Sequence, residues 1–146
     1  MPTRVLFLCT GNSARSQMGE AFLRKYAGDR FEVHSAGLQP KDVHPLTIQV
    51  MQEAGIDISG QTSKGISTYL GKLLFKYLIT VCDDADKNCP TVWPGVNQRM
   101  HWSFEDPAAF EGTDEEKLAK FREIRDKIEQ RLKAWLEDQG VSQYKL

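Results

Sequence analysis

Cys9 and Arg15 bracket the run Cys9-Thr10-Gly11-Asn12-Ser13-Ala14-Arg15, with Ser16 immediately after it. The apolar stretch Arg4-Val5-Leu6-Phe7-Leu8 leads in, and a helix-like stretch follows. A strand that turns straight into a helix leaves backbone N–H groups pointing into the turn, and the helix dipole adds partial positive charge there. Such a turn binds an oxyanion. A thiol at its base sits in a field that stabilises thiolate, which makes it a nucleophile near neutral pH. Arg15 supplies a planar fork for two oxygens of a tetrahedral anion. Asn12 suits a backbone position with positive φ. Ser13 and Ser16 offer hydroxyls to the sulfur or to the loop; turn and cap roles are the alternative for these three.

Two further groups could take part. Asp106, in the pair Asp106-Pro107, is a carboxylic acid that could protonate a leaving oxygen. An ordinary turn aspartate before proline is the other reading. Cys82 and Cys89 flank Asp83-Asp84-Ala85-Asp86-Lys87-Asn88. In a helix their Cα atoms would lie about 10 Å apart, beyond the roughly 4.4–6.8 Å a disulfide spans. The intervening residues are weak helix formers and Pro90, Pro94 and Gly95 follow, so residues 82–95 could unwind as a redox switch. Inert cysteines, or a zinc site with His101, are the alternatives. No C-x2-C pair or short histidine spacing is present, and no metal is expected. His34, His44 and His101 have no neighbour that makes any of them a base for Cys9, and read as surface or satisfied core residues.

The elements that must position these groups alternate. Residues 4–8, 31–35, 77–81 and 98–102 read as strands. Residues 16–27 read as a helix, another opens at His44-Pro45 and closes at Gly55, and Ile66 to Leu73 reads as a short third. Thr113-Asp114-Glu115-Glu116 is a capping box, and Leu118, Phe121, Ile124, Ile128, Leu132 and Trp135 repeat after it at helical spacing. The expected fold is α/β: one domain over residues 1–146, a four-stranded parallel sheet with helices on both faces, in flavodoxin-like layering. Ligands then bind beyond the carboxyl ends of the strands. Cys9, Cys82 and Asp106 each follow a strand and would gather at that edge.

The bulk properties narrow the class. The chain has 146 residues and a formal net charge of −1, with 40% hydrophobic and 27% charged residues. That fits one globular domain and disfavours nucleic acid and anionic membranes as partners. No apolar run reaches membrane-spanning length and no signal-peptide pattern opens the chain, so a cytoplasmic protein is expected, working as a monomer. Three cysteines are there more naturally reactive or buried than a disulfide framework.

At this point the chain resembles a known family. Cys9 to Ser16 followed by Gln17-Met18-Gly19-Glu20-Ala21 is similar to the phosphate loop and first helix of low-molecular-weight protein tyrosine phosphatases, and more closely to the arsenate reductases built on that fold. The likeness extends through His34-Ser35-Ala36-Gly37, Asp57 to Ser63, Val81-Cys82-Asp83, Cys89-Pro90 and Trp102 to Pro107. Three cysteines at these places resemble the thioredoxin-coupled reductases. Ala14 stands where eukaryotic phosphatases of this kind carry a second cysteine, and Ala108 where they carry a tyrosine. Some of the reductases hold a monovalent cation through residues matching Asn12, Glu20, Ser35 and an acidic residue near Ser63. Here Lys64 takes the acidic place, with Thr62 beside it, and a lysine ammonium could supply the charge.

The resemblance implies a mechanism. Arsenate enters the cradle formed by Thr10, Gly11, Asn12, Ser13, Ala14, Arg15 and Ser16. Cys9 attacks arsenic, Asp106 protonates the departing oxygen, and Cys82 resolves the adduct as a transient Cys9–Cys82 disulfide. Cys89 then forms Cys82–Cys89, which thioredoxin reduces; no bound cofactor is implied. A tyrosine phosphatase using Cys9, Arg15 and Asp106 alone, and a non-enzymatic oxyanion-binding or redox-sensing module, are the competing functions.

Overall fold

A computed structural model describes residues 2–82 and 95–141. The chain runs through β1 (Thr3–Cys9), α1 (Arg15–Ala27), β2 (Phe31–Gly37), α2 (Pro45–Glu53), a 3-10 turn at Ile66–Thr68, β3 (Phe75–Thr80), β4 (Val96–His101), a second 3-10 turn at Pro107–Ala109 and α3 (Asp114–Asp138). The described strands form one parallel sheet in the order β2-β1-β3-β4. The chain moves from β1 outward to β2, then returns to the other side of β1 for β3. The switch in direction therefore falls at β1, and the crevice it opens lies beyond the carboxyl end of that strand. Cys9 is its last residue.

β1 is central because it can be buried on both faces. Val5, Leu6, Phe7 and Leu8 are all fully inaccessible, as a continuous apolar run in a parallel sheet must be. Phe7 faces α1 across Gly19, where an added Cβ would lie 2.9 Å from the Phe7 ring. The same face continues through Trp102, whose ring centroid is 6.1 Å from Phe7, and Trp135 of α3, 5.9 Å further on. The three α-helices pack against one another on that side. Alternation along β2 sends Ser35 to α1 and His34 to the opposite face, where it meets Tyr69 beyond the first 3-10 turn.

α3 forms as its sequence indicates. Thr113 Oγ1 accepts from the Glu116 N–H, Glu116 returns the bond to the Thr113 N–H, and Phe121, Ile124, Ile128, Leu132 and Trp135 are buried along one stripe. The expected helix from Ile66 to Leu73 is shorter than its pattern: only Ile66–Thr68 takes a 3-10 turn. Gly71 adopts φ +75° and breaks the helical run, and Tyr69 is turned inward to 7% exposure. β3 and β4 each begin two residues earlier than expected.

One contact of the sheet with the Cys9 loop decides a residue type. Gly37 closes β2 against the loop, and a Cβ there would stand 2.7 Å from both Asn12 N and Thr10 O. These are backbone atoms and cannot swing aside. Gly37→Ala is expected to fold yet lose binding of inorganic phosphate in a titration, because loop and strand must separate. Thr113→Ala is expected to lower stability by about 1 kcal/mol in a denaturant titration, through the lost cap.

Candidate active site

The turn from Cys9 to Arg15 is built by directing every carbonyl away from its centre. Cys9 O accepts from Leu38 N at 3.1 Å, Thr10 O from Gln39 N at 2.7 Å, and Gly11 O from Lys41 N at 2.8 Å and Ser63 Oγ at 3.0 Å. Asn12 O accepts from Gln17 Nε2 at 3.0 Å. Ser13 O accepts from His44 N and Thr47 Oγ1, both at 3.1 Å, and Ala14 O begins α1 by accepting from Met18 N at 2.9 Å. Residues 38–44 thus run beside the loop as a strap. With six carbonyls committed outward, the loop's N–H groups are free to converge. Asn12 allows this by taking φ +50°, the one positive φ among the described non-glycine residues. The N-cap of α1 is Ala14, which has no side chain to cap with, so the first-turn amides are left for an anion.

Cys9 is 2% exposed at the base of this turn. Its Sγ accepts the Asn12 N–H at 3.1 Å and lies 2.8 Å from Ser16 Oγ. The proton in that second contact can be placed by following the network. Asn12 Oδ1 accepts the Lys64 N–H at 2.8 Å, so Asn12 Nδ2 is the donor to Ser16 Oγ at 2.7 Å and to Ser35 Oγ at 2.9 Å. Each serine hydroxyl must then donate outward: Ser16 to the Cys9 sulfur, and Ser35 to Glu20 Oε1. The sulfur therefore receives two hydrogen bonds.

Glu20, 5% exposed, is the far end of this network. Arg24 Nη2 donates to its Oε2 at 2.7 Å, and Lys64 Nζ stands 3.9 Å from Oε1 while donating to Thr62 O. A buried carboxylate needs such partners. Burial holds the Lys64 ammonium below the usual lysine range, against the upward pull of Glu20.

Above the sulfur lies a cavity of about 300 Å³ walled by the loop, Lys41, His44, Asp106 and Ala108. Arg15 reaches across its edge, with Nη1 donating to Phe104 O at 3.0 Å and Nη2 3.7 Å from Asp106 Oδ2. Asp106 serves two purposes. Oδ1 accepts the Ala108 N–H, which makes it the turn aspartate, while Oδ2 faces the arginine. Cys82 follows β3, where the Val81 N–H still bonds Leu8 O at 2.9 Å, so it emerges beside the end of β1. It is 3% exposed, with Sγ 3.5 Å from Thr10 Oγ1. Cys9 and Cys82 are both thiols. Cys89 and nearly all of the 82–95 segment lie outside the described residues. A larger cavity of about 680 Å³ opens at the amino ends of the strands, by Thr3, Arg4, Phe75 and Val96, far from these groups.

The structure thus brings Cys9, Arg15, Cys82 and Asp106 to one edge, with Asn12, Ser16, Glu20, Ser35, Thr62 and Lys64 behind them. Sequence reasoning missed Gln17, which is fully buried and links Asn12 O to Thr62 O while receiving Gln61 Nε2 at 2.6 Å. It also missed Ser63, Arg24 and Lys41. A glutamine inside an otherwise buried first turn is the one signal that pointed to Gln17. His34 and His101 are satisfied by Glu32 and Tyr69 and by Thr80 respectively. His44, whose Nδ1 accepts the Leu46 N–H, also walls the cavity.

Comparison with known proteins agrees with this geometry. Residues 4–144 match the low molecular weight phosphotyrosine protein phosphatase family. A Halalkalibacterium halodurans protein named arsenate reductase is 48% identical over 135 residues, covering 91% of this chain and 94% of that protein. An arsenate reductase solved in its phosphate-binding state superposes with a TM-score of 0.77 at 33% identity, over 93% of this chain and 98% of that one. The thioredoxin-dependent arsenate reductase of Corynebacterium glutamicum superposes with a TM-score of 0.70 at 33% identity, over 97% of this chain and 64% of that one. The chain belongs to the low molecular weight phosphotyrosine protein phosphatase family, in the branch that holds the arsenate reductases.

Proposed function

We propose that this protein reduces arsenate to arsenite through a Cys9 adduct and a relay over Cys82 and Cys89, with thioredoxin as the electron donor. One observation carries the relay: a second thiol, Cys82, stands beside the loop that holds Cys9, its sulfur 3.5 Å from Thr10 Oγ1. Phosphate-ester hydrolysis has no use for it. The names of the 48%-identical relative and of the thioredoxin-dependent neighbour support the same assignment.

The Cys9 thiolate forms an S–As bond; one As–O bond breaks and that oxygen leaves as water, taking a proton from Asp106. Arg15 and the loop amides hold the remaining oxygens, as preorganised donors to developing charge. The Cys82 thiolate attacks Cys9 Sγ. The S–As electron pair passes to arsenic, which falls from the +5 to the +3 state and departs as arsenite. Two sulfurs have together lost two electrons and form Cys9–Cys82. Cys89 displaces Cys9 from Cys82, and thioredoxin's dithiol reduces Cys82–Cys89. The protein works as a cytoplasmic monomer in arsenic detoxification. The same cradle gives weak hydrolysis of aryl phosphates, which need only Cys9, Arg15 and Asp106.

Disulfide mapping by mass spectrometry after one equivalent of arsenate tests the relay. Wild-type protein is expected to yield Cys82–Cys89, and Cys89→Ser to accumulate Cys9–Cys82. Cys82→Ser should lose arsenate turnover and keep aryl-phosphate hydrolysis, while Cys9→Ser should lose both. Normal arsenate turnover by Cys89→Ser would refute the relay.

In this reading the Lys64 ammonium, 3.9 Å from Glu20 Oε1, supplies the charge that a monovalent cation would bring. Arsenate kcat/KM is therefore expected to be equal in potassium and sodium salts at matched ionic strength. Strong stimulation by potassium alone would contradict this role.

A further inference from the structure

His44 is anchored on three sides. Its backbone N–H is bonded to Ser13 O, its ring packs at a tilt of 38° against Phe121 with centroids 4.8 Å apart, and its Nδ1 accepts the Leu46 N–H at 3.1 Å as the cap of α2. The last bond fixes the proton distribution. A nitrogen that accepts from an amide carries no hydrogen, so in the neutral ring the proton sits on Nε2. Nε2 has no hydrogen-bond partner among the described residues. His44 nevertheless lines the cavity above Cys9, together with Arg15 and Asp106. A fixed, unspent donor on the wall of an anion cavity has an evident use.

We infer that His44 is a further substrate-contacting residue, whose Nε2–H hydrogen-bonds an outward oxygen of the tetrahedral anion seated over Cys9. The loop amides and Arg15 grip the oxygens nearest the sulfur, and His44 meets one that faces the mouth. The inference rests on the oxyanion-binding reading of the loop and adds a ligand contact to it. The surroundings of the ring favour its neutral form. Burial lowers its basicity and Lys117 of α3 adds to this, against the upward pull of Asp106. Lys41 and Arg15 stand on the same cavity wall. Protonation would also put a hydrogen on Nδ1 facing the Leu46 N–H, breaking the cap. A neutral donor binds an anion without competing with Arg15 for Asp106.

The test uses the reduced full-length chain and inorganic phosphate. In ¹H–¹⁵N spectra, His44 should show the Nε2–H tautomer, and phosphate should shift Nε2 together with the Gly11 and Asn12 amides. In a binding titration, His44→Phe should weaken phosphate about tenfold, the worth of one hydrogen bond to a charged acceptor. His44→Gln, which keeps an amide donor, should recover part of that loss. Shifts at Gly11 and Asn12 with none at His44, or undiminished phosphate binding by His44→Phe, would overturn the contact and leave the loop reading intact. Shifts at none of these groups would overturn both.

Discussion

A polypeptide turn can present a concave row of N–H groups only if its carbonyls all face the other way, and carbonyls buried in protein must find donors there. The loop after β1 meets that condition completely. Residues 38–44, Gln17, Ser63, Thr47 and the first turn of α1 take up the six carbonyls from Cys9 to Ala14. Much of the chain's layout serves this purpose. β2 must end in glycine so that its strand can lie against the loop, and the chain after β2 must run beside the loop so that its amides meet the carbonyls.

A second layer sets the hydrogen bonding around the sulfur. The path from Cys9 through Ser16, Asn12 and Ser35 to Glu20 is a chain in which each proton's direction is forced by the next acceptor. Glu20 is tolerated in the core because Arg24 and Lys64 attend it. The cations belong to the outer end of the network and the sulfur to the inner end. Polarity is thereby transmitted to the thiol without a charged side chain in contact with it.

The parts of this arrangement that were legible in the sequence are those written in side chains with a local pattern. β1 shows its double burial as an unbroken apolar run, and α3 shows both its cap and its stripe. Cys82 and Asp106 could be brought to Cys9 because strand alternation implies a parallel sheet and such a sheet gathers its carboxyl ends. The strap could not be read. Its bonds to the loop are mostly backbone N–H groups, which every residue but proline possesses. Gln17, Gln61 and Ser63 look like surface residues until the fold places them behind the loop. His44 was missed for a related reason: what matters is the direction of one ring nitrogen, and only the Leu46 amide determines it. The helix expected through Leu73 failed because Gly71 needs a left-handed backbone that ends the run.

α3 carries its own cap in Thr113, whereas α1 has only the methyl group of Ala14 at the equivalent position. Any tetrahedral anion docked in the turn completes the helix that a serine or aspartate would complete elsewhere. Occupancy is then coupled to folding by mass action, and a ligand present at a hundred times its Kd contributes about 2.7 kcal/mol. Ordinary cellular phosphate would act on this protein in two opposed ways, as a rival for the cradle and as a guardian of the folded chain.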